Sequence, residues 1–257
     1  MMRNLITSGP DLLKALDKAR HKFTEDIWWR GQAKSTWDLR PRIYDQGKNK
    51  HEISYIQLFK SKALSRYSNC PAWNDYPSWL FLAQHYRMKT RLLDWTDSIL
   101  IATFFAVWED RYLSNTGAVW ALNPGSLNES QFGENAIHLP TNQSIMPLFD
   151  QAFVQLLPDE GKIEKIAAIR PHEIDIKMMV QMSVFTIHGS SKPLNKLKEN
   201  KTFLMKFLIP PRSKREIHGL LEDLGIRESS LFPDLVHLAQ EIKEYEFARR
   251  AASSRGS

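Results

Sequence analysis

Three polar side chains stand where their neighbours call for apolar ones. Arg30 follows Ile27-Trp28-Trp29 and precedes Gly31-Gln32. A charge at the exit of a core strand is costly unless a partner or an anionic ligand offsets it. The planar donor fork of a guanidinium suits the oxygens of a pyrophosphate; the same residue also reads as one half of a structural salt bridge with Asp94. His85 lies between Gln84 and Tyr86, just before Thr90-Arg91-Leu92-Leu93-Asp94-Trp95-Thr96, a run that brings a cation, a carboxylate and two hydroxyls together. Histidine beside a carboxylate can act as an acid or a base near neutral pH. The structural alternative makes His85 a packing residue and Asp94 a helix cap paired with Arg91. Gln181 and His188 flank Ser183-Val184-Phe185-Thr186-Ile187, a strand whose ends are placed to face one cleft or simply to pack.

Other chemistries find no motif. The chain has no Walker or Rossmann glycine loop, no Gly-x-Ser-x-Gly and no His-x-x-x-His, and the single cysteine, Cys70, excludes a cysteine-rich zinc site. No metal is expected.

The elements that must position these residues are legible from periodicity. Leu12, Leu13, Leu16 and Ala19 predict an amphipathic helix over 10–22. Residues 27–32 read as a buried strand and Trp37–Pro41 as a second short extended piece. Helices are expected over 52–66 and from Pro77 to Tyr86, with the proline in the first turn. A buried helix containing Ala102, Phe105, Ala106 and Trp108 follows, capped by Asp97 or Ser98. Residues 117–122 read as a core strand closed by Asn123-Pro124-Gly125. Residues 126–160 show no clear period and read as a lid or insertion. Strands at 166–169, 183–187 and 203–209 and helices at 213–224 and 233–248 complete an α+β pattern without a βαβ repeat.

Composition bounds the rest. The 257 residues are 42% hydrophobic and 25% charged, as in an ordinary globular chain. One cysteine, no secretory h-region and no apolar span predict a cytoplasmic protein off the membrane. The net charge of +6 suits an anionic partner, although Arg249, Arg250 and Arg255 of that excess sit in the last residues and the other cations are scattered.

Trp29-Arg30-Gly31-Gln32, Trp37-x-Leu39-x-Pro41 and Gln84-His85-Tyr86-x-x-x-Thr90-Arg91-Leu92-Leu93-Asp94-Trp95-Thr96 resemble the FRG domain, named for Phe-Arg-Gly, with Trp29 in place of the Phe. Gln181 to Gly189 and Gly225 to Leu235 extend the likeness over about residues 25–240. Arg87-Met88-Lys89-Thr90 stands where the family has Gly-x-Pro-Thr. The resemblance implies one compact α+β domain over 25–248 with a mixed or antiparallel central sheet and flanking helices, a helix over 1–24 packed on it, and a disordered tail over 249–257.

A fainter likeness supplies a reaction. ADP-ribosyltransferases of the Arg-Ser-Glu class carry Arg-Gly at the end of the first core strand, then a Ser-Thr-Ser strand leading into a helix with Ala-x-x-Phe-Ala, then a valine-rich strand. Trp29-Arg30-Gly31, Asp94-Trp95-Thr96-Asp97-Ser98, Ala102-x-x-Phe105-Ala106 and Gly117-Ala118-Val119-Trp120 are similar in order. That likeness implies NAD as the bound nucleotide and a protein or nucleic acid as acceptor, as in a toxin or phage-defence effector. Arg30, His85, Asp94 and Gln181 would be catalytic. Arg30 would grip the diphosphate, Asp94 and Thr96 would support the nicotinamide ribose, and Trp95 or Phe185 would stack on a ring, with Gly31, Gln32, Tyr86, Thr90 and Arg91 completing the cofactor site. The late glutamate of that class is missing: Gln181 is its nearest occupant, so Asp94 or Glu173 takes the role, or the domain binds a nucleotide without transferring it. Two other readings stay open: a metal-independent ribonuclease using His85 with Arg30 and Arg91, or a nucleic-acid binder using its basic surface and eight tryptophans, and a non-catalytic nucleotide sensor.

Overall fold

Helices α1 (Gly9–Lys22), α2 (Glu52–Ala63), α3 (Tyr76–His85) and α4 (Ile99–Val107) alternate with strands β1 (Trp28–Gln32) and β2 (Leu92–Thr96) in the first half of the chain. Then come β3 (Gly117–Leu122), α5 (Pro124–Phe132), α6 (Met146–Phe153), β4 (Ile166–Ile169), α7 (Ile176–Val180), β5 (Ser183–His188), α8 (Asn200–Phe203), β6 (Leu204–Ile209), α9 (Lys214–Asp223) and α10 (Glu228–Leu231). This computed structural model describes residues 4–154, 163–171 and 176–243, with the side chains of 46–50 excepted. The fold is α+β: six strands form one sheet in the order β4-β5-β2-β1-β3-β6, every neighbouring pair antiparallel.

Alternation along the strands divides the core. Trp29, Val119 and Ala121 face α1, α4 and α9, whereas Trp28, Trp120 and Leu122 face the opposite layer with Leu127, Leu194 and Phe203. A third cluster packs Phe185 and Ile187 of β5 on Phe81 of α3 and Phe149 of α6. Helix α4 is apolar on nearly every side and runs against β1 in the middle of the molecule, its start capped by Ser98, which accepts from the Ile101 N–H. Asp75 caps α3 in the same way, with Pro77 in the first turn.

Two expectations are corrected. Trp37–Pro41, expected as a short extended piece, is irregular and joins no strand ladder; Leu39 is fully buried and its N–H donates to Asn195 Oδ1 at 2.8 Å, so a side chain does the work of a strand neighbour. The described part of 126–160 is no lid. Helices α5 and α6 bury Leu127, Leu148 and Phe149, and Asn128 clamps Ala168 of β4 through both its N–H and its carbonyl. These helices have 9 and 8 residues, too short to print a clear period on the sequence. Asn123 does end β3, and it does so by capping α5. A helical stretch spans 235–243; the expected remainder to 248 and the expected tail lie outside the described residues. No described helix is long and apolar enough to cross a membrane.

Candidate functional site

The site lies where the sheet opens between β1 and β2. These strands meet in register only at Trp29 and Thr96; continued, the same register would set Gly31 opposite Asp94. Gly31 instead sinks onto α4, so close that a Cβ there would stand 1.8 Å from the Ala102 carbonyl oxygen. The guanidinium of Arg30 fills the opening. Its Nη1 donates to the main-chain carbonyl of Asp94 at 2.5 Å and lies 3.8 Å from the Asp94 carboxylate. Next in the chain, Gln32 is buried, accepting from Trp120 Nε1 at 2.8 Å and reaching the Asp38 carbonyl.

Arg30 is neither sealed nor free. Its side chain is 23% exposed and that of Asp94 57%, so the pair opens to solvent, while Arg30 Nε is buried with no hydrogen-bond partner among the described residues. Burial pushes the guanidinium below its ordinary value, Asp94 pulls it back up, and Arg42 adds a further downward push.

A one-way chain of hydrogen bonds holds the carboxylate. The Leu92 N–H donates to Thr90 Oγ1, the Thr90 hydroxyl donates to Gln84 Oε1 at 2.7 Å, and Gln84 Nε2 donates to Asp94 Oδ1 and Oδ2 at 3.0 and 3.1 Å. Asp94 therefore caps no helix and pairs with Arg30, not Arg91. Oriented by an amide and faced by a guanidinium, it can accept a proton from water or a hydroxyl or stand beside a developing cation.

Arg91 points elsewhere. It forms a bidentate pair with Glu52, Nε to Oε1 at 3.2 Å and Nη2 to Oε2 at 2.6 Å, and also donates to the carbonyls of Leu148 and Gln151. Both side chains are buried. Burial alone would lower the Arg91 guanidinium, but Glu52, helped by Tyr44, more than offsets this and the net shift is upward. The pair ties β2 to α2 and α6.

The remaining residues are placed as follows. Trp95 is buried and donates from Nε1 to Thr186 Oγ1 at 3.1 Å, and Thr186 bonds His188 Nε2 at 2.9 Å. His188 is fully enclosed, its Nδ1 without a partner among the described residues; burial, with Arg30 and Arg91 nearby, lowers its pKa to about 3. Phe185 is in the core against Phe81, ring centroids 5.3 Å apart. Thr96 donates to the Gln181 carbonyl at 2.7 Å and accepts from the Ser98 N–H. The Gln181 amide donates to the Leu231 carbonyl at 2.9 Å, so Gln181 and His188 do not share a cleft. His85 and Tyr86 line a separate depression with Arg87 and Lys177. Glu173 lies outside the described residues. The structure thus brings Arg30, Asp94 and Thr90 together, and adds Gln84, visible in the motif but not singled out, together with Glu52 and Thr186, which no local pattern marks.

No curated protein and no solved structure matches the chain. Residues 25–114, which carry β1, α3, β2 and α4 and with them Arg30, Gln84 and Asp94, match the family model of the FRG domain, and this supports the FRG family for the chain.

Proposed function

We propose that this FRG domain binds NAD at the β1–β2 opening and breaks its glycosidic bond, passing ADP-ribose to water or to a macromolecular acceptor. The observation that carries the reading is the solvent-open pairing of a half-buried Arg30 with the Gln84-oriented carboxylate of Asp94. A guanidinium already stripped of most of its water, yet open on one side, gains by receiving a diphosphate. The order Arg30-Gly31 on β1, Asp94 to Ser98 leading into α4, and then β3 is also the order of the Arg-Ser-Glu transferases. In this reading Asp94 supplies the carboxylate that Gln181, turned to Leu231, does not. The C1′–N1 bonding pair goes to the pyridinium nitrogen and leaves as neutral nicotinamide. A water or acceptor oxygen then bonds C1′, and its proton passes to Asp94. Trp95 and Phe185 are buried in different core clusters, so neither offers a face on which a ring of the nucleotide can stack.

Nicotinamide release from NAD, followed by chromatography, tests this. The wild-type chain should release it, and Asp94→Asn, which keeps one of the two Gln84 bonds but no longer takes a proton, should slow release by about a hundredfold or more while still binding NAD. Equal release by Asp94→Asn would contradict the assignment.

A further inference from the structure

The chain leaves α3 through a tight turn in which Arg87 holds a left-handed backbone, φ 62°. Glycine would occupy that conformation without steric cost, whereas a Cβ crowds the following carbonyl. Nothing in the turn's own hydrogen bonding needs an arginine, since its backbone bonds, Arg87 N–H to Gln84 and Met88 N–H to Ala83, are available to any residue. The Arg87 side chain borders a depression of about 350 Å3, lined also by His85, Tyr86, Lys177, Pro233 and Asp234, near the lower end of the roughly 300–1,000 Å3 typical of small-molecule sites. Among the described residues no carboxylate lies within ion-pair distance of the Arg87 guanidinium. Asp234, on the same wall, is already engaged, accepting from the His237 ring at 2.7 Å and from the Val236 and His237 N–H groups. Tyr86 is 52% exposed, and its ring is fixed from other sides by Phe59, Tyr67 and His85, at 6.4, 6.1 and 4.9 Å between centroids. The Lys177 ammonium on the same wall is turned over the Phe232 ring, 5.4 Å from its centroid. An aromatic platform beside a guanidinium is the chemistry that recognises a base and a phosphate together.

We propose that this depression is a second binding site, for a phosphorylated nucleoside, with the phosphate on Arg87 and the base on Tyr86. It goes beyond the Arg30–Asp94 site and stands whether or not NAD is held there.

Calorimetric titration of the whole chain with AMP and with inorganic phosphate tests it, in an Arg30→Met background whose folding is checked by circular dichroism, so that no cation of the β1–β2 opening contributes. AMP should bind with a Kd of about 1 mM or tighter. Arg87→Gly should melt at the same or a higher temperature, because the left-handed turn is relieved, and yet lose AMP affinity by about tenfold or more. Tyr86→Ala should weaken AMP and leave phosphate binding unchanged. Absence of AMP binding, or full affinity in Arg87→Gly, would overturn the proposal.

Discussion

Arg30 Nη1 donates to the Asp94 main-chain carbonyl at 2.5 Å across an opening in which β1 and β2 no longer pair. A side chain therefore takes the place of a ladder bond, and the cation of the site is also part of the sheet. Arg30→Met, which keeps the apolar stem, should leave that carbonyl without its charged donor and cost about 1–3 kcal/mol in urea unfolding. A stability equal to wild type would show that the contact holds nothing together.

Gly31→Ala should cost more than about 3 kcal/mol, since the added Cβ meets backbone and not a flexible side chain. The obstructing atoms are the Ala102 carbonyl oxygen at 1.8 Å and the Ala106 nitrogen at 2.8 Å. Thermal unfolding reads the effect directly, and a shift of a degree or less would mean that α4 is not pressed onto β1.

Glu52→Gln should destabilise by about 3–5 kcal/mol because it leaves the Arg91 charge buried and uncompensated. The double variant Glu52→Leu with Arg91→Met should lose much less than the single variants Glu52→Leu and Arg91→Met added together. A double-mutant cycle in denaturant measures the difference; strict additivity would contradict a coupled pair.

His188 gives stability a pH dependence. Its folded pKa, about 3, lies below its ordinary value of 6.5. Between those values the unfolded chain takes up a proton that the folded chain refuses, so stability is complete above about pH 6.5 and falls as the pH drops toward 3, by at most about 1.4 kcal/mol per unit. His188→Gln should flatten this part of the profile in unfolding measured from pH 4.5 to 7, and an unchanged slope would assign it to other groups.

Local pattern made most of the fold legible. The helical spacing of Leu12, Leu16 and Ala19 and the aromatic run ending at Gly31 each fix an element from its own residues. Trp37–Pro41 carries no local sign of its setting, because Leu39 is held by Asn195 and Leu194, residues far along the chain. Arg91 reads in the sequence as part of the cofactor site, yet a glutamate 39 residues earlier holds it in the core. Charge type is visible in a sequence, whereas the partner that neutralises it is set by tertiary packing. Arg87 shows the converse: a turn pattern without its glycine still keeps the left-handed backbone that glycine favours.

The most direct test of the account is the affinity for NAD in a non-cleavable carbocyclic form, measured by calorimetry on wild type and on Arg30→Lys with folding checked by circular dichroism. Lysine keeps the charge and loses the planar fork, so a diphosphate held by that fork should bind at least about tenfold more weakly. A variant that folds normally and binds NAD as tightly as wild type would contradict the placement of the nucleotide at Arg30.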